Sequence, residues 1–391
     1  MSIASPAGTA RHHLDVDPGV HALLDRKRDR VAAGGPYTPL TVEQTTQLLV
    51  DYFATVVPGA SVSGVGRIGG GASKEQFFFE LTDASGNRTG HILRIDPVQT
   101  ASETDRRREF EALDVYRSVV PAPAPEWLDH EGAHFGQPAV IMGFVPGVTK
   151  PTAPSDDLKV TGIGTTFSGS LRESLADQYL GHLAAIHNHP VDTARLPSFE
   201  APTADPWQPA RWALNWWSRV WADDAVEAVP IAALTEEWLR RHIPASTAEP
   251  VMIHGDFRTG NFLFDESTGR ITAVLDWEYV HLGDFHEDLG WMMQQLFRSV
   301  EDGEELICGL YPAATFVQRY EQLSGRTVDP ETLRWYVVLN AWKCLAITLA
   351  SSAKAARDAQ NHQDALLAWM SPVGYHFATD LCALIEKELS A

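Results

Sequence analysis

The sequence predicts an α+β protein of two lobes: a small antiparallel sheet carrying one helix, then a larger, mainly helical lobe. Three observations predict it. Between Ser61 and Ile95, short apolar runs alternate with Gly- and Asn-containing turns, as in strands joined by hairpins. After Gly147 the apolar residues recur mostly at helical spacing. Within that helical half, residues 251–276 return to a strand-and-loop pattern. The expected boundaries are an N-terminal arm over 1–40, a first lobe over 41–145 and a second over 146–391.

Val20–Ala32 reads as one helix, broken by Ala33-Gly34-Gly35-Pro36, and the segment is expected to lie outside the main body. Thr41 is a good N-cap for a helix with Leu48, Leu49, Tyr52 and Phe53 on helical spacing. Val62, Val65 and Ile68 lead into Gly69-Gly70-Gly71-Ala72-Ser73. The Phe-rich strand Glu75–Leu81, the turn at Asp83–Asn87 and the strand His91–Ile95 follow. Glu103–Val119 is helical, with Phe110, Leu113 and Tyr116 on one face, and Pro121–Pro125 ends it. Ala139–Val145 is a buried strand closed by Pro146-Gly147. Residues 148–170 read as loop and Leu171–His187 as an amphipathic helix. Trp207, Trp212, Trp216, Trp217 and Trp221 form either a core stripe or an aromatic pocket wall. From Leu289 helices alternate with short loops, without an internal repeat.

At 391 residues the chain suits two or three domains or one two-lobed enzyme, and 44% hydrophobic residues allow a large core. Apolar runs such as Val337–Leu339 and Ala346–Ala350 are too short to span a membrane, so no membrane partner is expected. The N-terminus lacks a basic start followed by an apolar stretch, so no secretory leader is expected. Cys308, Cys344 and Cys382, odd in number and without metal spacing, read as reduced core thiols of a cytoplasmic protein. A net charge of -20 argues against a grip on nucleic-acid phosphates. Arg106-Arg107-Arg108, followed by Glu109 and Glu111, reads as a solvated helix face. The acidic balance favours solubility and is congenial to cationic substrates. His187, His189, His281 and His286 lack the cysteine or Glu context of a zinc site.

Chemistry concentrates in Ile253-His254-Gly255-Asp256-Phe257-Arg258-Thr259-Gly260-Asn261, followed by Val274-Leu275-Asp276-Trp277-Glu278. Protein kinases place an Asp and an Asn five positions apart in a catalytic loop, with a second Asp after it. Asp256, Asn261 and Asp276 keep that order, and a hairpin around Asp265–Gly269 would return Asp276 to Asn261. Gly64, Gly66 and Gly69 spell a Gly-x-Gly-x-x-Gly, but a dinucleotide fold needs a helix next, and Glu75–Leu81 reads as a strand.

His-Gly-Asp-x-x-x-x-Asn with Leu-Asp-Trp-Glu resembles the aminoglycoside phosphotransferase and choline kinase superfamily, which has the protein-kinase-like fold. Asp-Trp-Glu followed by Gly-Asp-x-x-x-Asp-Leu-Gly-Trp is similar to one branch. That branch holds the kinase domains of acyl-CoA dehydrogenase family members ten and eleven, and bacterial aminoglycoside phosphotransferases. The resemblance covers roughly residues 45–385.

It implies ATP and Mg²⁺ as cofactors and a small hydroxylated molecule as partner, with a homodimer left open. Asp256 would accept or orient the acceptor hydroxyl, and Asn261 and Asp276 would hold Mg²⁺. Gly69, Gly70, Gly71 and Ser73 would cover the phosphates. Arg94 would hold them from the next strand, oriented by Glu109, or by Glu111 as the alternative. Arg258 would either clamp the transferring phosphoryl group or brace the loop. Adenine would meet backbone groups around Met142 and Phe144, between walls from Ile68, Ile92 and Phe264. Asp288 would anchor the loop backbone and His254 would brace it. The acceptor stays open between a hydroxyacyl-CoA or hydroxy acid, an aminoglycoside and an aromatic or macrolide-like alcohol. A pseudokinase-like ATP-binding protein is the rival class, supported by Arg94 in place of a Lys.

Overall fold

The structure is a computed structural model that describes residues 14–69, 73–152, 165–246 and 248–390. Helices α1 (Pro18–Ala33) and α2 (Val42–Val56) precede strands β1 (Ser61–Arg67), β2 (Glu75–Thr82), β3 (Arg88–Ile95), β4 (Pro125–Asp129) and β5 (Ala139–Gly143). These strands make one antiparallel sheet in the order β1-β2-β3-β5-β4, with α3 (Arg106–Tyr116) between β3 and β4 in sequence.

Alternation along the strands gives this sheet two different faces. Phe77, Phe79 and Leu81 of β2, Leu93 and Ile95 of β3, and Ile141 of β5 pack with Leu49, Tyr52 and Phe53 of α2. Each large side chain so buried contributes roughly 1.5–3 kcal/mol. The other face therefore carries Gln76, Ile92, Arg94 and Met142 into a cleft. Thr41 caps α2 in a reciprocal box with Gln44, as its sequence implies.

The edge strand β4 was not expected. Pro121, Pro123 and Pro125 mark a break in the sequence, yet β4 pairs only with β5. At an edge a missing N–H leaves no ladder bond unmade.

The helical half comprises α4 (Gly169–Asn188), α5 (Gln208–Asp224), α6 (Pro230–Arg241), a two-stranded pair β6 (Val251–Ile253) and β9 (His281–Gly283), and the hairpin β7 (Phe262–Asp265)/β8 (Arg270–Val274). Then come α7 (His286–Met292), a small sheet β10 (Ser299–Glu301), β11 (Glu304–Ile307) and β12 (Tyr311–Pro312), and α8 (Phe316–Ser324). The helix α9 (Pro330–Leu345) continues through a π-helical stretch (Ala346–Ser352) into α10 (Ala353–Arg357), and α11 (Asp364–Ser390) closes the chain. Joined end to end, Pro330–Arg357 is long and apolar enough to cross a membrane, which the separate short runs did not suggest, but 89% of its apolar window is buried inside the protein. Cys308 and Cys344 are core residues; Cys382, expected with them, is exposed on α11.

The arm expected to lie outside the main body does the opposite over its described residues. Val20, Leu23 and Leu24 of α1 are buried. Charges fix the rest: Arg108 of α3 donates from both terminal nitrogens to Asp17 (2.9 and 2.7 Å), Arg219 of α5 pairs with Asp25 (2.5 Å), and Lys27 pairs with buried Asp224. The same contacts overturn the solvated reading of Arg106–Arg108. Arg106 and Arg108 are buried, and only Arg107 is exposed. Opposite charges supplied by distant segments make that burial tolerable.

Arg108→Ala should destabilise the protein by about 3–5 kcal/mol, because the buried Asp17 charge would lose its counter-ion and keep only its bonds to the Gly19 and Val20 N–H groups. A urea titration followed by tryptophan fluorescence reads this as a lower midpoint; an unchanged midpoint would show that α1 is not held by this pair.

Candidate active site

The loop after β6 is fixed by one carboxylate on α7. Asp288 accepts the backbone N–H groups of His254 and Gly255, each at 2.8 Å, and its Oδ2 lies 3.1 Å from His187 Nε2. Burial pushes Asp288 up, but hydrogen bonding and charge from His187 and His254 hold it below the ordinary 3.8. The His254 ring in turn meets the carbonyl of Leu275 at 3.0 Å, joining the loop to the segment before Asp276. Gly255 has φ +78°, and a Cβ there would stand 2.6 Å from Tyr279 Cβ, so the turn requires glycine.

That turn brings Asp256 to the cleft floor with its carboxylate held from three sides. Trp291 Nε1 (2.9 Å) and Arg258 Nε (3.0 Å) donate to Oδ1, and Asn261 Nδ2 donates to Oδ2 (2.6 Å). Arg258 also donates to the Thr259 carbonyl and lies over the Phe297 ring. Of the two roles open to Arg258, the structure displays the bracing one. The hairpin behaves as its sequence implies: β7 and β8 pair, and Leu275 N donates to Asn261 O at 2.8 Å, returning Asp276 beside Asn261. Asp276 is left-handed (φ 58°, ψ 54°), an uncommon conformation for a non-glycine residue and one that clusters at functional sites.

Across the cleft, Arg94 uses one nitrogen on Glu109 (2.7 Å) and the other on Asp276 (2.8 Å). Glu111, the alternative partner, instead accepts from Ser198. Arg106 extends the cluster to Glu109, Asp96 (3.2 Å) and Glu278 (3.6 Å), and Lys74 reaches Asp96 at 3.1 Å. Ser73 donates to Glu278 at 3.1 Å, bringing the end of the Gly-rich turn onto the Asp-Trp-Glu motif. Gly69 also lines the cleft; Gly70 and Gly71 lie outside the described residues. Burial opposes charge on Glu278 and leaves it above the ordinary carboxylate value, whereas Arg94 and Arg258 bring Asp276 below it against its own burial.

The cleft holds about 560 Å³. Ile68, Ile92, Met142 and Phe144 line it as expected, but Phe264 does not. Phe262 and Phe264 share the core face of β7, and strand alternation gives the cleft Leu263. At Phe144 the backbone N–H is not free for the expected contact. Met142 is paired within the sheet to Ile92 and Pro125, and Phe144 N–H already donates to Gly90 O at 2.9 Å. The tryptophans of α5 do not line the cleft: Trp212, Trp216 and Trp217 are core, and Trp207 is exposed.

Asp276 and Asn261 fit a hard cation. Both side-chain hydrogen bonds of Asn261 use its nitrogen, so its amide oxygen and the Asp276 carboxylate are the oxygen donors that would hold such an ion. Mg²⁺ bound with phosphates commonly takes only one or two protein ligands. Among the described residues no group of three or more His, Cys, Asp or Glu forms a larger metal cage, at the paired histidines or elsewhere.

Lys343 was not singled out in the sequence. It is buried at 1% exposure, donates to the Gly255 carbonyl at 2.6 Å and stands 4.2 Å above the Trp291 ring. No local motif marks it, because it reaches the loop from 88 residues away on α9.

A family profile described as "Phosphotransferase enzyme family" matches residues 64–336. Mouse acyl-CoA dehydrogenase family member 10 is 24% identical over 226 residues, 56% of this chain and 19% of that protein. Mouse family member 11 is 21% identical over 295 residues, 71% of this chain and 35% of that protein. The chain thus spans about a third or less of the length of these curated relatives. Among solved structures, a Ralstonia eutropha protein named for aminoglycoside phosphotransferase superposes with TM-score 0.58 at 22% identity, over 86% of this chain and 98% of that one. The GDP complex of an aminoglycoside 2'-phosphotransferase-IIIa variant gives 0.56 at 16% identity, over 88% and 98%. An APH(4)-Ia variant with ADP and hygromycin B gives 0.51 at 18% identity, over 85% and 97%. These likenesses show a shared fold, the two-lobed kinase-like one.

Because folded Asp288 titrates below 3.8, its stabilisation is complete above the unfolded value and is lost as pH falls through the folded one. Asp288→Asn should therefore be less stable at about pH 7 and should lose part of the wild-type decline below about pH 4. Urea midpoints across that range test both points, and a variant with wild-type stability at neutral pH would remove the anchoring role.

Proposed function

The chain belongs to the phosphotransferase enzyme family, and from that premise we propose that it moves the γ-phosphoryl group of ATP to a hydroxyl of a small molecule. The observation that carries this reading is the Asp256 carboxylate. Three side-chain donors aim it, and it faces a cleft that also holds Asn261, Asp276 and Arg94.

In the proposed reaction the acceptor oxygen attacks the γ-phosphorus. The bond from that phosphorus to the β,γ-bridging oxygen breaks, and its electron pair leaves with ADP. The acceptor proton passes to Asp256 and then to solvent, giving the phosphate ester, ADP and H⁺. Asp256 orients the hydroxyl, and the donors from Trp291, Arg258 and Asn261 hold its carboxylate in place before the acceptor arrives. Mg²⁺ held by Asp276 and Asn261 would neutralise phosphate charge. Arg94 would turn to the phosphates the nitrogen now on Asp276, while Glu109 keeps the other and so sets the fork's direction. Ile68, Ile92, Met142 and Leu263 sandwich the base between apolar side chains.

A second reading, an ATP-binding protein without turnover, is favoured by one observation: both terminal nitrogens of Arg94 are already engaged by carboxylates. The intact Asp256, Asn261 and Asp276 set supports turnover.

Asp256→Asn should lower turnover by roughly 10²–10⁴-fold and leave ATP affinity nearly unchanged. Asp276→Ala should abolish the Mg²⁺-dependent part of nucleotide binding. ADP release over a panel of hydroxylated metabolites and calorimetry with ATP read the two effects. Absence of ATP binding with and without Mg²⁺ would reject the phosphotransfer reading.

Arg94→Ala and Glu109→Ala should each weaken ATP binding and turnover, with a double variant less impaired than the sum predicts. Arg94→Lys should keep part of the activity, since a point charge replaces a two-pronged donor. Full activity in Arg94→Ala, or strict additivity, would leave Arg94 without this role.

A further inference from the structure

We propose that the acceptor carries its hydroxyl on an apolar, uncharged body, aliphatic or aromatic, which fills a chamber between the catalytic loop and α11; this assignment rests on the phosphotransfer reading above. The cleft does not end at Asp256. It continues past Trp291 between the segment after α7, the π-helical stretch and α11, where Leu296, Phe297, Ile347, Trp369, Val373 and Phe377 line it.

The charge distribution separates the two ends of this one cavity. On the sheet side the lining includes Arg94, Glu109, Asp276 and Glu278, the charges suited to a nucleotide and a cation. From Trp291 to the C-terminus, every described residue that lines the cleft is uncharged, and the Arg258 guanidinium that lies over the Phe297 ring is already paired with Asp256. Two of the few polar groups there are already engaged, and Trp369 is half-exposed to water. Thr348 donates its hydroxyl to the Cys344 carbonyl at 2.8 Å, and Trp291 donates its N–H to Asp256.

Carboxylates near this end do not change the picture. Glu305 is paired with Arg298 at 2.8 Å, and Asp380 lies within the influence of His376 and Arg298; neither carboxylate lines the chamber.

An amino sugar entering this space would strip water from several ammonium and hydroxyl groups and find almost no partner for them. An apolar body loses nothing polar and buries its surface. The net charge of -20 can draw cations toward the molecule, but that long-range field supplies no pairing inside the chamber.

The chamber is also shaped by close packing. A Cβ on Gly374 would stand 2.5 Å from Leu349 Cγ, so α11 rests directly on the π-helical stretch. Asp256, bound to Trp291 at the inner end of the chamber, is then the carboxylate that a hydroxyl projecting from it would meet.

The test uses the full chain and the neutral fluorophore phenylnaphthylamine, with octanol and kanamycin as competitors. The fluorophore should bind, octanol should displace it and kanamycin should not. Trp369→Glu changes a half-exposed side chain at the chamber and should fold; Val373→Asp places a charge deeper. Each should weaken fluorophore binding at least about tenfold, or about 1.4 kcal/mol, while ATP affinity by calorimetry stays at the wild-type value.

Absence of fluorophore binding, or unchanged binding in both variants, overturns the proposal. So does kanamycin-stimulated ADP release. ATP binding without fluorophore binding would defeat this proposal alone. Fluorophore binding in a protein that does not bind ATP would defeat the phosphotransfer reading and, with it, the acceptor assignment, while the apolar chamber itself would stand.

Discussion

The Asp288 carboxylate holds the backbone of His254 and Gly255, and the geometry of the catalytic loop depends on it. A fully buried carboxylate is tolerable only when its oxygens are well occupied. Here two backbone N–H groups and His187 occupy them. The requirement extends outward. Asp288 reaches the loop because α7 packs tightly on α9, where Gly290 permits backbone contact: a Cβ there would lie 2.8 Å from the Tyr336 carbonyl carbon. Asn340 of α9 secures the same junction by donating to Glu287 O. Lys343, one turn later, donates to the Gly255 carbonyl. The two helices therefore grip the loop through both kinds of backbone polar group.

On the opposite wall the organising element is a chain of charges, buried from Lys74 and Asp96 through Arg106, Glu109 and Arg94 to Glu278 and opening to the cleft at half-buried Asp276. Replacing such a chain by apolar residues often costs no stability, so its presence is weak evidence of a stabilising role. Its members converge on the side of the cleft where phosphate charge would lie. Arg94 is the shared member: it ties β3 to α3 through Glu109 and to the Asp-Trp-Glu segment through Asp276. Glu109 keeps the guanidinium at the cleft, so the Asp276 contact is the one that would yield when phosphate charge is brought in.

The two walls give one cavity two chemistries. The charged end and the apolar end meet at Asp256, where Trp291 belongs to both: its indole N–H holds the carboxylate and its ring packs 5.2 Å from that of Phe297. The acidic character of the whole chain does not describe this interior. Net charge reports on the long-range field, whereas the choice of a bound body depends on groups close enough to replace its water.

The sequence by itself determined the fold class and the hairpin that returns Asp276 to Asn261, both carried by local spacing and strand alternation, signals that survive without knowledge of distant neighbours. The Asp288 anchor and the Arg94–Glu109 pairing came only with the family resemblance of the motif, and between Glu109 and Glu111 the structure chose. Tertiary structure decided the features that depend on which distant segments meet. Arg106 and Arg108 are buried because Asp96, Glu278 and Asp17 come to them from elsewhere in the chain. By the same route α1 joins the main body, and Lys343 reaches a loop 88 residues away. At Phe264 one register of strand alternation separates core from cleft, and only the packing of β7 selects it. The apolar chamber is the clearest case, since α7, the π-helical stretch and α11 each contribute one side of a surface that no single segment displays.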